Sequence, residues 1–137
     1  MIAPAIRSRT LAGRVRWGMA QSTHHGGCHC GAVRFHVDLD LDQPAITCNC
    51  SICSRSGTVL SFAPTSAFVL EQGEANLTDY QFNKQVVHHL FCKTCGIKAF
   101  GRGVGPDGKE MVAVNVRCLD NVDLAKVPTH HFDGKSM

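Results

Sequence analysis

Cysteines are the residues of this sequence best suited to do chemistry. Eight cysteines occur in 137 residues, and seven of them fall into three tight clusters. The clusters are Cys28-His29-Cys30, Cys48-Asn49-Cys50-Ser51-Ile52-Cys53 and Cys92-Lys93-Thr94-Cys95-Gly96. Disulfide scaffolds are usually smaller and spread their cysteines apart, whereas grouped thiolates are preferred ligands of zinc. The clusters therefore predict thiolates that hold zinc in a reducing, cytoplasmic setting.

The number of clustered cysteines bears on the kind of zinc site. Seven thiolates do not form two closed sites of four, but they divide naturally into four and three. Four thiolates close a structural site, whereas three leave one position open for water or substrate, as in catalytic sites. We therefore expect two Zn²⁺ ions per chain. Iron–sulfur ligation uses the same residue type, but nothing in these spacings favours it.

Two assignments of the cysteines to these sites are open. In the first, the middle cluster binds one ion, and the first and third clusters together bind the other. In the second, Cys50 and Cys53 join the third cluster, which leaves Cys48 and the first cluster as an awkward trio. The compact spacing of the middle cluster favours the first assignment. A further interpretation gives all seven cysteines to folding alone, in a small β domain with a thin core.

The charge of the chain is concentrated at its N-terminus. Residues 1–20 contain four arginines and no acidic residue, whereas the rest of the chain is close to neutral. This composition predicts a flexible arm over residues 1–20; the alternatives are an organelle transit peptide or a true start at Met19. The near-neutral body argues against direct binding of nucleic acid, unless the arm supplies it.

Hydrophobic periodicity predicts the elements that position the cysteines. From Gly26 onward the pattern is mostly of period two, which is typical of strands. The predicted strand runs are 32–37, 58–62, 77–82, 86–91, 97–100 and 111–116. A turn at Gly105-Pro106-Asp107-Gly108 joins the last two runs. No window has a sustained helical stripe, and no run of 18 apolar residues exists, so we predict one all-β domain over 24–135 and no membrane span.

Three stretches resemble a known family. The segments 26–35 (GGCHCGAVRF), 48–53 (CNCSIC) and 91–96 (FCKTCG) closely resemble the glutathione-dependent formaldehyde-activating enzyme family, which includes the centromere protein V domain. The stretches 114–120 (VNVRCLD) and 131–135 (HFDGK) are similar to its C-terminal part. The resemblance thus extends over residues 24–135 and includes all three cysteine clusters in order.

The resemblance implies a fold, a metal content and an activity. The implied fold is a β-tent of small antiparallel sheets around zinc-binding loops. The implied ligands are Cys28, Cys30, Cys92 and Cys95 for a structural zinc and Cys48, Cys50 and Cys53 for a catalytic zinc. The implied activity is that of a carbon–sulfur lyase, the addition of glutathione to formaldehyde to give S-(hydroxymethyl)glutathione. The expected partners are a small thiol and an aldehyde, and the oligomeric state does not follow from the sequence.

The reaction would also need a proton donor and an anion-binding residue. His88 and His89 lie close to Cys92 in sequence, but strand alternation directs them to opposite faces, so at most one faces the site. Both histidines are candidate acids for the new hydroxyl, and we choose His88. Arg55, two residues after Cys53, is the first candidate to bind a glutathione carboxylate. Arg34, Lys93 and Arg117 are further candidates for that role.

The remaining polar residues near the clusters have other expected roles. Ser54 and Ser56 are expected to donate hydrogen bonds to zinc-bound thiolates. His29 is expected to shape the turn between two ligands, and the pair 24–25 to be tag-like or tail residues. Cys118 lies outside the clusters in an apolar run, and we expect it to be a small core residue.

Three functions from different classes remain open. The first is the glutathione–formaldehyde enzyme, and the second is a zinc enzyme of the same fold that acts on another thiol or aldehyde, since a fold does not fix a substrate. The third is a noncatalytic zinc-folded module that binds a partner. An open zinc position in a cleft favours the first two, and closed coordination at both metals favours the third.

Overall fold

The part of the chain that the structure describes, residues 21–82, 87–105 and 107–136 of a computed structural model, consists mostly of strands. The predicted arm over 1–20 lies outside it, as do Val86 and Pro106 of the predicted runs. The strands are β1 (Ser22–Gly27), β2 (Arg34–Leu39), β3 (Ala45–Cys48), β4 (Leu60–Pro64), β5 (Phe68–Gln72), β6 (Leu77–Tyr80), β7 (His88–Cys92), β8 (Phe100–Val104), β9 (Glu110–Asn115) and β10 (Thr129–Phe132). The all-β prediction is confirmed.

Helical structure in the described residues is short. One α-helical turn, α1 (Cys53–Ser56), follows the middle cysteine cluster. The 3₁₀ turns span Thr65–Ala67, Glu74–Asn76, Val116–Cys118, Leu124–Lys126 and Gly134–Ser136. None of the helices in the described ranges has the length and apolar character needed to cross a bilayer.

The strands form two sheets. A three-stranded antiparallel sheet has the order β1-β2-β5, and a seven-stranded sheet has the order β10-β3-β4-β9-β8-β7-β6. Neighbours in the larger sheet are antiparallel except at one edge, where β10 runs parallel to β3. The implied antiparallel architecture is therefore confirmed except for β10. This strand lies beside the middle cysteine cluster, since Phe132 pairs with Cys48.

The core lies between the two sheets. In β2 the apolar side chains point inward at every second position, and Phe35 and Val37 are fully buried. Phe35 stacks on Phe68, with ring centroids 5.2 Å apart, and meets Phe100 of the larger sheet edge-on at 5.9 Å. Aromatic contacts of this kind add to the free energy gained by burial and hold the sheets face to face.

Two predicted boundaries are wrong. The histidine pair 24–25 belongs to β1 rather than to a tail, because this segment forms backbone hydrogen bonds with β2 although it lacks apolar alternation. The run 97–100 is not a strand over its length, because the backbone N–H of Cys92 bonds the carbonyl of Ile97 and holds the segment in a turn. Strand β8 begins only at Phe100.

Candidate metal centres and the surrounding grooves

Four cysteine sulfurs come together where the turn after β1 meets the end of β7. Their Sγ atoms all lie within 4.8 Å of one another, and Cys30 Sγ is 3.6 Å from the sulfurs of both Cys28 and Cys92. Cys28 and Cys92 are buried, whereas Cys30 is exposed. This four-cysteine cluster consists of Cys28, Cys30, Cys92 and Cys95. The grouping is that of the first of the two assignments made from the sequence.

The four-cysteine cluster is surrounded by N–H donors. Cys92 Sγ accepts hydrogen bonds from the backbone N–H of Thr94 at 3.4 Å and from the Asn76 side-chain amide at 3.1 Å. The pKa of Cys92 is lowered to about 6, chiefly by the backbone N–H of Cys95 and further by that of Thr94. Gly96 has a φ of +80°, which lets the chain turn beneath the sulfurs as its position in the motif predicts.

The other three clustered cysteines lie together at the end of β3 and in the loop that leads into α1. Their Sγ atoms are mutually within 4.8 Å, and all three residues are half-buried. Cys48 Sγ accepts a hydrogen bond from the backbone N–H of Cys50 at 3.4 Å. Burial raises the pKa of Cys53 to about 12, and the neighbouring Cys50 reinforces this shift. We call Cys48, Cys50 and Cys53 the three-cysteine cluster.

The C-terminal segment packs directly on the three-cysteine cluster. Phe132 of β10 pairs with Cys48 of β3, and the Asn49 side chain donates a hydrogen bond to Asp133 at 2.9 Å. The backbone N–H of Lys135 returns a bond to Asn49 Oδ1 at 2.9 Å. A Cβ atom added at Gly134 would lie 2.7 Å from Cys48 Sγ, so a larger residue there would require the sulfur or the C-terminal segment to shift. The sequence shows none of these contacts.

Both clusters fit zinc by their donor chemistry. Tetrahedral thiolates at the usual Zn–S distance lie about 3.8 Å apart, close to the separations in the four-cysteine cluster. Backbone N–H groups directed at sulfur stabilise the thiolate form that a metal requires. The four-cysteine cluster supplies a complete tetrahedral set, whereas the three-cysteine cluster leaves one position to another ligand.

A half-buried lysine lies beside the three-cysteine cluster. Burial lowers the pKa of Lys98, and the negative charges of Cys53 and Cys50 oppose that shift, which puts the ammonium group within electrostatic range of both sulfurs. Lys98 Nζ is also 2.9 Å from His89 Nδ1. Burial, followed by the charge of Lys98, lowers the pKa of His89 to about 4, so this imidazole is neutral at ordinary pH and accepts the hydrogen bond.

The two histidines of β7 have different surroundings. His88 Nδ1 lies 2.7 Å from a carboxylate oxygen of Asp79 on the neighbouring strand β6. Its side chain lines grooves with Arg102 and other residues of the larger sheet, away from the α1 loop. His89 instead contacts Lys98. The structure therefore does not bring His88 to the three-cysteine cluster, and its role as the acid stays a prediction.

Arg55 lines a groove of about 470 Å³ beside the three-cysteine cluster. Its guanidinium donates to the carbonyl of Ser51 at 2.8 Å, which holds the side chain over the α1 loop. Tyr80 and Phe82 also line this groove, with stacked rings 5.7 Å apart. A groove lined by a cation and aromatic rings can take a ligand that combines a carboxylate with apolar groups.

A second groove, of about 500 Å³, lies beside the four-cysteine cluster and reaches Ser56 of α1. Lys98 and Arg117 line it, together with residues of the four-cysteine loop. Ser56 lines both this groove and the Arg55 groove, so the two adjoin at the end of α1. Thr58 also lines it, and its hydroxyl is buried with no hydrogen-bond partner among the described residues. Such an orphan hydroxyl is suited to a bound polar group.

The remaining candidates from the sequence have mixed placements. Arg34 forms an ion pair with Asp120 and is therefore engaged on the surface. The Ser54 hydroxyl donates to the carbonyl of Ser51 at 3.4 Å rather than to a sulfur. Cys118 packs against the core, half-buried, as expected. His29 lies exposed in the turn between its two cysteines, and Lys93 is exposed beside Cys92.

The fold and these centres define a class: a small all-β protein with one four-cysteine and one three-cysteine cluster suited to metal. The sequence profile of the glutathione-dependent formaldehyde-activating enzyme family matches residues 23–135, and the chain belongs to this family. The crystal structure of a Rhodobacter sphaeroides protein, a structural genomics target, is similar to it. The two chains share 36% sequence identity and superpose with a TM-score of 0.68, over 77% of this chain and 99% of the other.

Proposed function

We propose that this protein is a zinc-dependent carbon–sulfur lyase that adds glutathione, or a closely related thiol, to formaldehyde or another small aldehyde. In this reaction the thiolate sulfur attacks the carbonyl carbon, the C–S bond forms, and the π electrons move to oxygen. One proton then reaches that oxygen to give the S-(hydroxymethyl) adduct. The observation that carries the proposal is the three-cysteine cluster beside a half-buried lysine, in a chain of this family.

The three-cysteine cluster would hold one zinc and the four-cysteine cluster the other. A zinc ion with three thiolate ligands supplies an open position at which a thiol loses its proton readily. The four-cysteine cluster has a full set of protein ligands and therefore a structural role. Two Zn²⁺ ions per chain follow from this assignment.

Lys98 would stabilise the oxygen of the adduct and donate its proton, and it replaces His88 in this role because His88 lines grooves away from the three-cysteine cluster. Its ammonium group is half-buried, and burial lowers its pKa, which makes it a better acid than a surface lysine. Neutral His89 orients the ammonium through the 2.9 Å contact between Lys98 Nζ and His89 Nδ1. His89 thus acts as a positioning residue. A fixed positive charge where negative charge develops is an effective source of transition-state stabilisation.

Arg55 would bind a carboxylate of the thiol substrate. Glutathione has two carboxylates, and the Arg55 and Arg117 guanidinium groups line adjoining grooves that share Ser56. A peptide thiol that lies across the end of α1 would reach both cations. We place the reaction in the cytoplasm, because thiolate clusters of this kind persist where thiols are kept reduced.

The test uses exchange NMR to monitor adduct formation between ¹³C-formaldehyde and glutathione. This addition also occurs without an enzyme, so the measurement must compare its rate with and without the protein. We expect the zinc-loaded protein to accelerate exchange well above the uncatalysed rate. Cys50→Ser should remove the acceleration and one zinc per chain. Cys118→Ser is the matched control, because Cys118 lies outside both clusters, and it should retain both properties.

The outcomes distinguish the competing functions. Acceleration with another small thiol but not with glutathione would support the same chemistry on a different substrate. Full activity in Cys50→Ser would contradict the role given to the three-cysteine cluster. A protein with two zinc ions that accelerates no thiol addition would overturn the proposal in favour of a noncatalytic module.

A further inference from the structure

We propose a third metal site, separate from the cysteines, on the outer face of the three-stranded sheet. His25, His36 and Glu71 lie there with ligand atoms that are all within 4.8 Å of one another. Two imidazoles and a carboxylate suit a divalent transition metal such as Zn²⁺. Three ligands from the protein leave further positions for water or for a ligand from outside. The proposal does not rest on the proposed function.

Each strand of the sheet supplies one of the three ligands. His25 of β1 and His36 of β2 are directly paired across the antiparallel ladder, and their ring centroids are 5.6 Å apart. Glu71 lies on β5, the other neighbour of β2. The β2–β5 register shifts between Arg34 and Phe35, so Glu71 is an extra residue with no direct partner. A bulge of this kind redirects a side chain, and here the Glu71 carboxylate reaches the histidine pair.

The carboxylate already contacts both imidazoles. Glu71 Oε2 lies 2.6 Å from His36 Nδ1 and 3.9 Å from His25 Nδ1. All three residues are on strands, and their side chains are at least partly exposed to solvent. Rotation of these side chains would therefore bring the three ligand atoms to one ion without movement of the backbone. The backbone geometry is therefore set before a metal binds, which reduces the entropy cost of binding.

The local charge also favours a cation. Arg34 lies close enough to Glu71 to respond to its charge, and it forms an ion pair with Asp120. The pKa of Asp120 is lowered chiefly by the hydrogen bond from Arg34. His25 contributes to this lowering, which places Asp120 close to His25. The Glu71 and Asp120 carboxylates and the Arg34 guanidinium together carry one net negative charge. A divalent cation would thus meet an attractive field.

The experiment is equilibrium dialysis of the full-length protein, with its cysteine sites already loaded with zinc, against buffered free Zn²⁺. Exchange of zinc at the loaded cysteine sites then leaves the number of zinc ions per chain unchanged. We expect one additional zinc equivalent per chain above that number. The ring-proton NMR signals of His25 and His36 should shift as this equivalent binds. His36→Asn and Glu71→Gln should each weaken its binding by at least about tenfold, since even partners outside the ligand shell cost that much.

His24→Asn is the matched control, because His24 lies on the same strand but bonds Ser22 instead of Glu71. It should bind the additional equivalent as the wild type does. Absence of an additional equivalent in the wild type would overturn the proposal. Binding that survives both His36→Asn and Glu71→Gln, or that is lost equally in His24→Asn, would overturn the assignment to these residues. Catalytic activity plays no part in any of these outcomes.

Discussion

At the scale of single residues, the two cysteine clusters differ in what surrounds the sulfurs. Cys92 in the four-cysteine cluster is buried and accepts hydrogen bonds from neutral N–H groups. These groups stabilise a thiolate without a charged side chain. The three-cysteine cluster has the ammonium of Lys98 within electrostatic range. The first arrangement suits a permanent ligand set, and the second suits a site where charge changes during a reaction.

Replacing Lys98 should therefore reduce catalysis without removing the metal. We expect Lys98→Met to lower kcat/KM for adduct formation by about 100-fold, the usual contribution of one general acid or oxyanion donor. Lys98→Arg, which keeps the charge, should restore part of the rate. The measurements are kcat/KM by exchange NMR and zinc content for each variant.

Lys109→Met serves as the control for Lys98→Met, because Lys109 is exposed in the turn before β9. It should have wild-type activity. Unchanged kcat/KM in Lys98→Met would remove Lys98 from the mechanism. A loss that Lys98→Arg fails to relieve at all would indicate a packing effect instead of a charge effect.

His89 should make stability depend on pH in a defined window. Its pKa is about 4 in the folded protein, against an ordinary value of 6.5. Between these values the unfolded chain holds a proton that the folded chain lacks, so the free energy of unfolding falls as pH decreases from 6.5 to 4. We expect this decrease to be smaller in His89→Gln, whose side chain does not titrate and still accepts a hydrogen bond.

Denaturant unfolding of both proteins at a series of pH values across that window measures the effect. The cysteines are common to both proteins, so the difference between the two curves isolates His89. Identical pH dependence in the two proteins would show that the imidazole titrates normally in the fold.

The sequence predicts the ligand residues of the site but not their surroundings. Cysteine type and spacing favour this grouping, because the three cysteines of residues 48–53 are neighbours in the chain, but they leave the rival assignment open. Lys98 lies within electrostatic range of the cluster and contacts His89, nine residues away in sequence, and no local pattern encodes these contacts. Alternation did indicate that His88 and His89 point to opposite faces, but it could not say which face meets the cysteines.

At the scale of elements, β10 packs beside the three-cysteine cluster. It adds a parallel strand to β3 and leads to Gly134, where an added Cβ would lie 2.7 Å from the Cys48 sulfur. Ordering this strand costs conformational entropy that burial does not offset, since all four of its residues are exposed. Its hydrogen bonds with β3 and the Asn49–Asp133 contact offset that cost.

Gly134→Ala should disturb the three-cysteine cluster specifically. The new Cβ would lie 2.7 Å from Cys48 Sγ and 3.3 Å from the Cβ of Cys50, so either the sulfur or the C-terminal segment must move. We expect weaker zinc retention at this cluster, seen as a zinc content that falls toward one per chain on dialysis against a mild chelator. Lys135→Ala, which preserves the backbone N–H that bonds Asn49, should keep both ions. Equal retention in the two variants would show that β10 yields without affecting the cluster.

Element prediction succeeds where burial imposes alternation and fails where pairing alone makes the strand. β2 is predicted because its inward side chains are apolar and buried. β10 has no buried residue, and β1 is buried only at its two glycines, so neither has a hydrophobic pattern to detect. These strands form because their backbones pair with strands from other segments of the chain. The local sequence does not reveal that pairing.

At the scale of the whole molecule, the four-cysteine cluster joins the two sheets. Cys28 and Cys30 follow β1 of the three-stranded sheet, whereas Cys92 ends β7 of the seven-stranded sheet. A metal held there would bridge segments that are far apart in sequence. The three-cysteine cluster lies within residues 48–53, so a metal held there would close a short loop instead. The two centres should consequently differ in what their loss does to the fold.

Cys95→Ser and Cys50→Ser test this difference. Cys95→Ser removes a ligand of the cross-sheet centre, and we expect loss of cooperative thermal unfolding, because metal-binding free energy at such a centre is folding free energy. Cys50→Ser should keep the two-sheet fold and its cooperative transition while losing adduct formation and one zinc. Circular dichroism melts with zinc content measured on the same samples decide the matter. Equal loss of fold in both variants would contradict the division into a structural and a reactive centre, because both clusters would then be needed to hold the sheets together.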